Sequence, residues 1–131
     1  MLKKWKFKRN LSPPSVTERI RKFEDNAVIE GYTIKINEAA LGFSIQCMIQ
    51  IDIKNSKYEK FKEFIYNHPR VIFCYRIAGH SCILLKLCVK SISEIETFVD
   101  SISSLDSTTS THIIFSEIPI NKSVGKFFSD F

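Results

Sequence analysis

The stretch Phe43-Ser44-Ile45-Gln46-Cys47-Met48-Ile49-Gln50-Ile51-Asp52-Ile53 decides the fold. Phe43, Ile45, Cys47, Ile49, Ile51 and Ile53 fall on every second position, with Ser44, Gln46, Met48, Gln50 and Asp52 between them. Successive strand side chains point to opposite faces, so this period predicts a half-buried strand. Downstream, Ser56-Lys57-Tyr58-Glu59 has capping-box spacing, and Tyr58, Phe61 and Ile65 mark one stripe of a helix. His68-Pro69 closes it, because the residue before proline is pushed out of helical geometry. Residues 71–78 and 82–90 are β-rich runs joined at Gly79-His80-Ser81. Ser93 and Glu96 repeat the capping spacing, and Ile95, Phe98, Val99 and Ile102 give the clearest amphipathic helix of the chain. Residues 111–120 predict a last strand, ending at Pro119.

Strand, helix, strand, strand, helix, strand, joined by right-handed crossovers, predicts a four-stranded antiparallel sheet with both helices on one face. The opposite face of a monomer should be polar. Here Cys82-Ile83-Leu84-Leu85 and Ile113-Ile114-Phe115 place apolar groups on both faces. Burying each Leu- or Ile-sized group is worth roughly 1.5–3 kcal/mol, which favours a sheet-to-sheet homodimer. An open sheet with scattered apolar groups is the alternative.

Upstream, Ser12-Pro13-Pro14 opens a helix, with serine capping free amides and proline losing no bond at the first position. Val16, Ile20, Phe23 and Ala27 form its apolar stripe, Ser15, Glu18, Arg21, Lys22 and Asp25 the opposite face, and Arg19 the edge. Asn26 is expected to end it. Val28-Ile29-Glu30-Gly31-Tyr32-Thr33-Ile34-Lys35-Ile36 then predicts two short strands turning near Gly31, as in the wing of a winged helix.

Charge follows the same division. The 131 residues carry a formal +5, and the first 35 hold nine Lys/Arg against four acids, which is the whole excess. Such an end suits a polyanion or serves as a solubilising tail. At 44% hydrophobic and 25% charged, with four Gly and four Pro, the chain is neither disordered nor collagen-like. No run approaches the roughly 18 apolar residues of a membrane span, and no apolar core follows the basic start at residues 1–6 to make a signal peptide. Cys47, Cys74, Cys82 and Cys88 lack metal-ligand spacing. They read as buried reduced thiols of a cytoplasmic protein, or as disulfide partners in the less favoured case.

Leu11-Ser12-Pro13-Pro14-Ser15-Val16-Thr17-Glu18-Arg19-Ile20, then Ile29-Glu30-Gly31-Tyr32 and Leu41-Gly42, closely resemble the Lrp/AsnC family of transcription regulators. Cys74-Tyr75-Arg76-Ile77-Ala78-Gly79 followed by Ile83-Leu84-Leu85-Lys86 extends the resemblance, which covers residues 10–121. It implies an α+β protein: a partial winged-helix segment followed by a βαββαβ ferredoxin-like (ACT-like) domain for effector binding and dimerisation. The expected division is 1–40 as a truncated winged helix-turn-helix, with a recognition helix near 12–26 and a wing near 28–36. The ligand-binding and oligomerisation domain then takes 41–121, and 122–131 form a tail. Two departures stand out. Only ten residues precede Leu11, where the family has two further helices, and Cys82 stands where the family's Gly-x-x-Asp turn has its acid.

The resemblance implies duplex DNA as a partner, held by Ser15, Glu18, Arg19, Arg21 and Lys22, with polar side chains near the helix start reading bases and cations holding phosphates. Lys3, Lys4, Lys6, Lys8 and Arg9, interleaved with Trp5 and Phe7, would add salt-sensitive attraction. With the amino end short, unaided binding should be weak. The second partner is the chain itself, as a dimer, tetramer or octamer. The third is a small effector, an amino acid in the family, at Gly79, His80, Ser81 and Cys82. A thiol at position 82 cannot pair with an ammonium as a carboxylate does. His68, His80 and His112 share no spacing that unites them, and no nucleophile motif or phosphate-cradling glycine loop occurs. An enzyme is therefore not expected, nor a metal or cofactor. The alternative is a stand-alone assembly module without DNA contact that acts through mixed oligomers. Phe127, Phe128 and Phe131 suit an extra edge strand or a free tail.

Overall fold

The computed structural model describes residues 13–123 and 125–126. The expected Ser12 cap, the basic run over residues 3–9 and the three terminal phenylalanines lie outside them. The described residues fall into two units: residues 13–35 with those from Ile118 onward, and Ile36–Glu117.

In the first unit, helix α1 spans Pro13–Asp25. Val16 is buried, while Ile20 and Phe23 are half-buried, as the stripe requires. It ends at Asn26, as expected, the first residue beyond Asp25. Ala27 then takes the left-handed conformation, with φ 58°. The Ala27 N–H donates to Glu24 O (3.1 Å) and the Val28 N–H to Phe23 O (2.7 Å), the paired bonds of a Schellman cap. Ala27 is exposed beyond the helix and leaves the apolar stripe. The expected two-stranded wing does not form among the described residues: residues 30–37 belong to no helix or strand. Gly31 lacks the positive φ that a tight hairpin turn demands, and three-residue arms bury too little to hold such a turn.

The second unit contains β1 (Ile45–Ile53), α2 (Tyr58–Tyr66), β2 (Val71–Arg76), β3 (Ile83–Val89), α3 (Ile92–Ser103) and β4 (Ser107–Ile113). The sheet order is β2-β3-β1-β4, antiparallel throughout. Central β1 pairs Ile49 with Leu85 of β3 and with Thr111 of β4. Cys47, Ile49, Ile51 and Ile53 of β1 and Ile83, Leu85, Leu87 and Val89 of β3 form one buried face. Phe61 of α2 and Ile95, Phe98 and Ile102 of α3 cover it, so both helices serve one side.

Three local expectations are corrected. Ser56 does not cap α2; it sits within a 3-10 turn, Asn55–Lys57, and the helix opens after Lys57 without a side-chain cap. Ser93 and Glu96 make no capping box either. Ser91 is the N-cap, and Glu94, three residues on, accepts the Lys90 N–H at 2.6 Å. That bond, with Arg70 assisting, holds the Glu94 carboxyl below its ordinary value against the opposing effect of its burial. The last strand starts four residues early and ends at Ile113. Its Ser-Thr-Thr-Ser-Thr-His sequence hides an edge strand in polar residues, and β-branched threonines suit that place.

The uncovered face of the sheet is only half apolar. Phe73, Tyr75, Leu84 and Met48 share it with Gln50, Asp52, Ser110 and His112. Ile83 and Leu85 lie beneath the helices, so Leu84 is the member of that run that reaches the other side, and Ile113 alone of Ile113-Ile114-Phe115 is in a strand. Phe115 is 99% exposed.

Candidate nucleic-acid interface and effector turn

Burial of Val16 fixes the rotation of α1 and turns Glu18, Arg19, Arg21 and Lys22 to solvent; Ser15 lies at the boundary, half-buried. The four exposed charged groups take part in no ion pair among the described residues. A cationic helix face of this kind places two guanidiniums and an ammonium within two turns, the arrangement that holds phosphates.

The effector candidates sit at the β2–β3 connection. The Ile77 N–H donates to Cys82 O at 2.8 Å, closing a loop of Ala78, Gly79, His80 and Ser81. Gly79 has φ 148°, where a side chain is disfavoured, although a Cβ would meet nothing within 4 Å. His80 is exposed and Ser81 half-buried. Cys82 behaves differently: its Sγ lies 3.5 Å from Ile51 O, so the thiol donates to the backbone of β1 and packs against the core. The four residues are therefore neighbours along one loop, with the thiol turned to the sheet.

All four cysteines are free thiols. Burial pushes the Cys47, Cys74 and Cys88 thiols up, assisted by the Cys47–Cys88 neighbourhood at Cys47 and by Glu38 at Cys88. Cys88 Sγ lies 3.3 Å from Phe43 O. Among the described residues no group of three His, Cys, Asp or Glu side chains is placed to hold a metal, and no helix is long and apolar enough to cross a membrane.

Two clusters escaped the sequence, because their members are distant along the chain. Arg70 and Lys90 both approach the Phe43 ring, at 4.4 and 4.9 Å from its centroid, and Arg70 pairs with Glu94 at 3.4 Å. At the other end of the sheet, Lys62 and Arg76 stand 4.8 and 5.0 Å from the centroid of Tyr58. Cation–π geometry leaves no periodic trace in sequence.

The main unit is thus a ferredoxin-like βαββαβ domain, the class that pairs a small-molecule or assembly surface with a single helix-covered sheet. Residues 46–124, more than half of the chain, match the family model of the Lrp/AsnC ligand binding domain. The chain is 42% identical over 115 residues to the HTH-type transcriptional regulator LrpC of Bacillus subtilis, covering 88% of this chain and 79% of that one. The solved structure of B. subtilis LrpC superposes with a TM-score of 0.78 at 40% identity, covering 91% of this chain and 84% of the other. A feast or famine regulatory protein of Mycobacterium tuberculosis, solved in complex with L-methionine, shares the fold at TM-score 0.75 and 23% identity, with coverages of 94% and 85%. The chain belongs to the Lrp/AsnC family. It is a transcriptional regulator of that type and not an enzyme.

Proposed function

We propose that the chain binds duplex DNA as a dimer through the exposed face of α1. Ser15 and Glu18 face base edges near the helix start, and Arg19, Arg21 and Lys22 hold phosphates. The observation that carries this reading is the segregation on α1: Val16 is 2% exposed while Glu18, Arg19, Arg21 and Lys22 stand in solvent with no ion pair among the described residues. In functional terms residues 1–40 form the DNA-reading part, 41–121 the ligand-binding and assembly part, and 122–131 the tail. With cysteines kept as thiols, the cytoplasm is its compartment.

Self-association is supported by apolar groups that the single chain leaves in water. Tyr32, Ile34 and Ile36 are exposed at alternate positions, and Phe115, Ile118 and Ile120 follow β4. With Phe73, Tyr75, Leu84 and Met48 on the open sheet, they give a second copy enough surface to bury, at roughly 1.5–3 kcal/mol for each large side chain covered. The effector is a small molecule at Gly79, His80 and Ser81, an amino acid by the precedent of the methionine complex, with Cys82 shaping the loop from beneath.

Fluorescence-anisotropy titration of the full chain against duplex DNA tests the reading. Binding at low salt is expected. Arg21→Ala with Lys22→Ala should lower the affinity and flatten its salt dependence by about 0.9 in log–log slope for each phosphate that is no longer neutralised. No complex even at low salt would overturn the reading. For the effector, melting curves with a panel of amino acids should show an upward shift for at least one; a flat response throughout removes the sensing role.

A further inference from the structure

We propose that the ligand-binding domain carries a second surface for duplex DNA, formed by Lys54, Lys57, Lys60, Lys62 and Arg76 at the end of the sheet where β1 and β2 finish; it rests on the DNA-binding reading of α1 and extends it.

Residues 36–117 contain eight Lys/Arg and nine Asp/Glu, so the second unit as a whole is slightly acidic. Five of its eight cations lie at one end, where β1 leaves the sheet, α2 begins and β2 finishes, against three acids of the same stretch, Asp52, Glu59 and Glu63. Lys54 follows β1, Lys57 closes the 3-10 turn, and Lys60 and Lys62 occupy the first turns of α2. Arg76, the last residue of β2, joins them through the Tyr58 ring, which it shares with Lys62.

Lys62 pairs with Glu59 at 3.0 Å. Lys54, Lys57, Lys60 and Arg76 form no ion pair among the described residues, although the same unit has acids to spare. Arg70 at the opposite end shows the contrast, since it is matched to Glu94. Like charges left together cost free energy in the isolated protein, and a polyanion removes that cost by releasing its counterions. The ring of Tyr58, partly buried against the core, fixes Arg76 and Lys62 to a rigid support, which limits the ordering entropy of binding. Asn55 and Ser56, exposed in the same turn, supply uncharged donors that suit phosphate oxygens. Duplex DNA presents charge at the high linear density that such a group of cations suits.

The full chain and a Lys54→Gln, Lys57→Gln, Lys60→Gln variant are titrated with the same long duplex over a range of salt concentrations, with Lys90→Gln, at the other end of the sheet, as control. Melting curves establish that the variants remain folded. The triple variant should bind more weakly, with a log–log salt slope shallower by about 0.9 for each phosphate left unneutralised, while the control keeps the original slope. A slope unchanged in the triple variant overturns the proposal and leaves the role of α1 intact. If the slope is unchanged but the variant sediments as a smaller particle without DNA, the surface meets an acidic face of a second copy, and the proposal is equally overturned. Absence of any complex from the unaltered chain removes both this surface and the DNA-binding reading of α1.

Discussion

Ile45–Ile53 and residues 32–36 carry the same local signal and end differently. Both alternate β-branched or aromatic residues with polar ones. The first is the central strand of the sheet, paired on both sides, with Ile49 fully buried. The second joins no strand, with Ile34 at 78% exposure. Alternation sets which side chains share a face. It does not supply the neighbour whose backbone completes the ladder or the helices that cover the apolar side. Strand β1 finds β3, β4, α2 and α3 within its own chain, whereas residues 32–36 find no such strand partner among the described residues.

The largest expected effect lies at the satisfied strand. Ile49→Ala leaves a cavity between sheet and helices and should destabilise the fold by about 2–5 kcal/mol in urea denaturation. Ile34→Ala should change the stability of the isolated chain by no more than about 0.5 kcal/mol. Equal losses at both positions would show that residues 32–36 are packed after all. Next in size, Ile34→Glu should raise the dimer dissociation constant by about tenfold or more, equivalent to about 1.4 kcal/mol, as read by analytical ultracentrifugation. An unaltered constant would remove this segment from the dimer surface.

A smaller effect concerns how α1 hands over to the segment that follows. Ala27 sits in the left-handed region that glycine adopts freely, so Ala27→Gly should stabilise the chain by about 0.5–1 kcal/mol. A loss of stability would mean that the methyl group makes contacts outweighing the backbone strain.

The smallest effect is a pH dependence in the covered half. His68 packs edge-on to Phe98, with centroids 5.1 Å apart, and lies 5.2 Å from Phe64. Burial, then the Arg70 charge, lowers its pKa, and its Nδ1 accepts the Arg70 N–H at 3.2 Å. The unfolded chain therefore binds the proton more readily than the folded one. The contribution of His68 to stability is complete above about pH 6.5, declines as the pH falls below that, and is exhausted once the folded protein also protonates. Urea midpoints from pH 8 to 5 should show the decline, and His68→Gln should reduce it. A midpoint equally pH-sensitive in that variant would assign the dependence to other groups.

The strands with one apolar face were legible, as were α3 and the turn at Gly79, because burial writes a period into sequence. Strand β4 was misplaced because its Ser/Thr run is polar at an exposed edge, where no apolar face is required. Both capping boxes were misassigned, since Ser56, Ser91 and Ser93 all offer plausible hydroxyls and only the tertiary path selects the helix start. The charged face of α1 was readable from its stripe. The grouping of Lys62 and Arg76 on Tyr58 was not, because residue 76 reaches that ring only through the β2–β3–β1 arrangement.

By itself the sequence determined the alternation of β1, the apolar stripes of the helices, the order of elements and the concentration of charge toward the amino end. Those properties are local, encoded in the spacing of side chains that must enter or avoid water. Tertiary structure alone decided that residues 30–36 join no strand, that a polar run becomes an edge strand, that the Cys82 thiol turns to β1, and that Lys62 and Arg76 meet on one tyrosine ring. Each depends on which distant backbone or ring arrives alongside, and spacing along the chain carries no record of that.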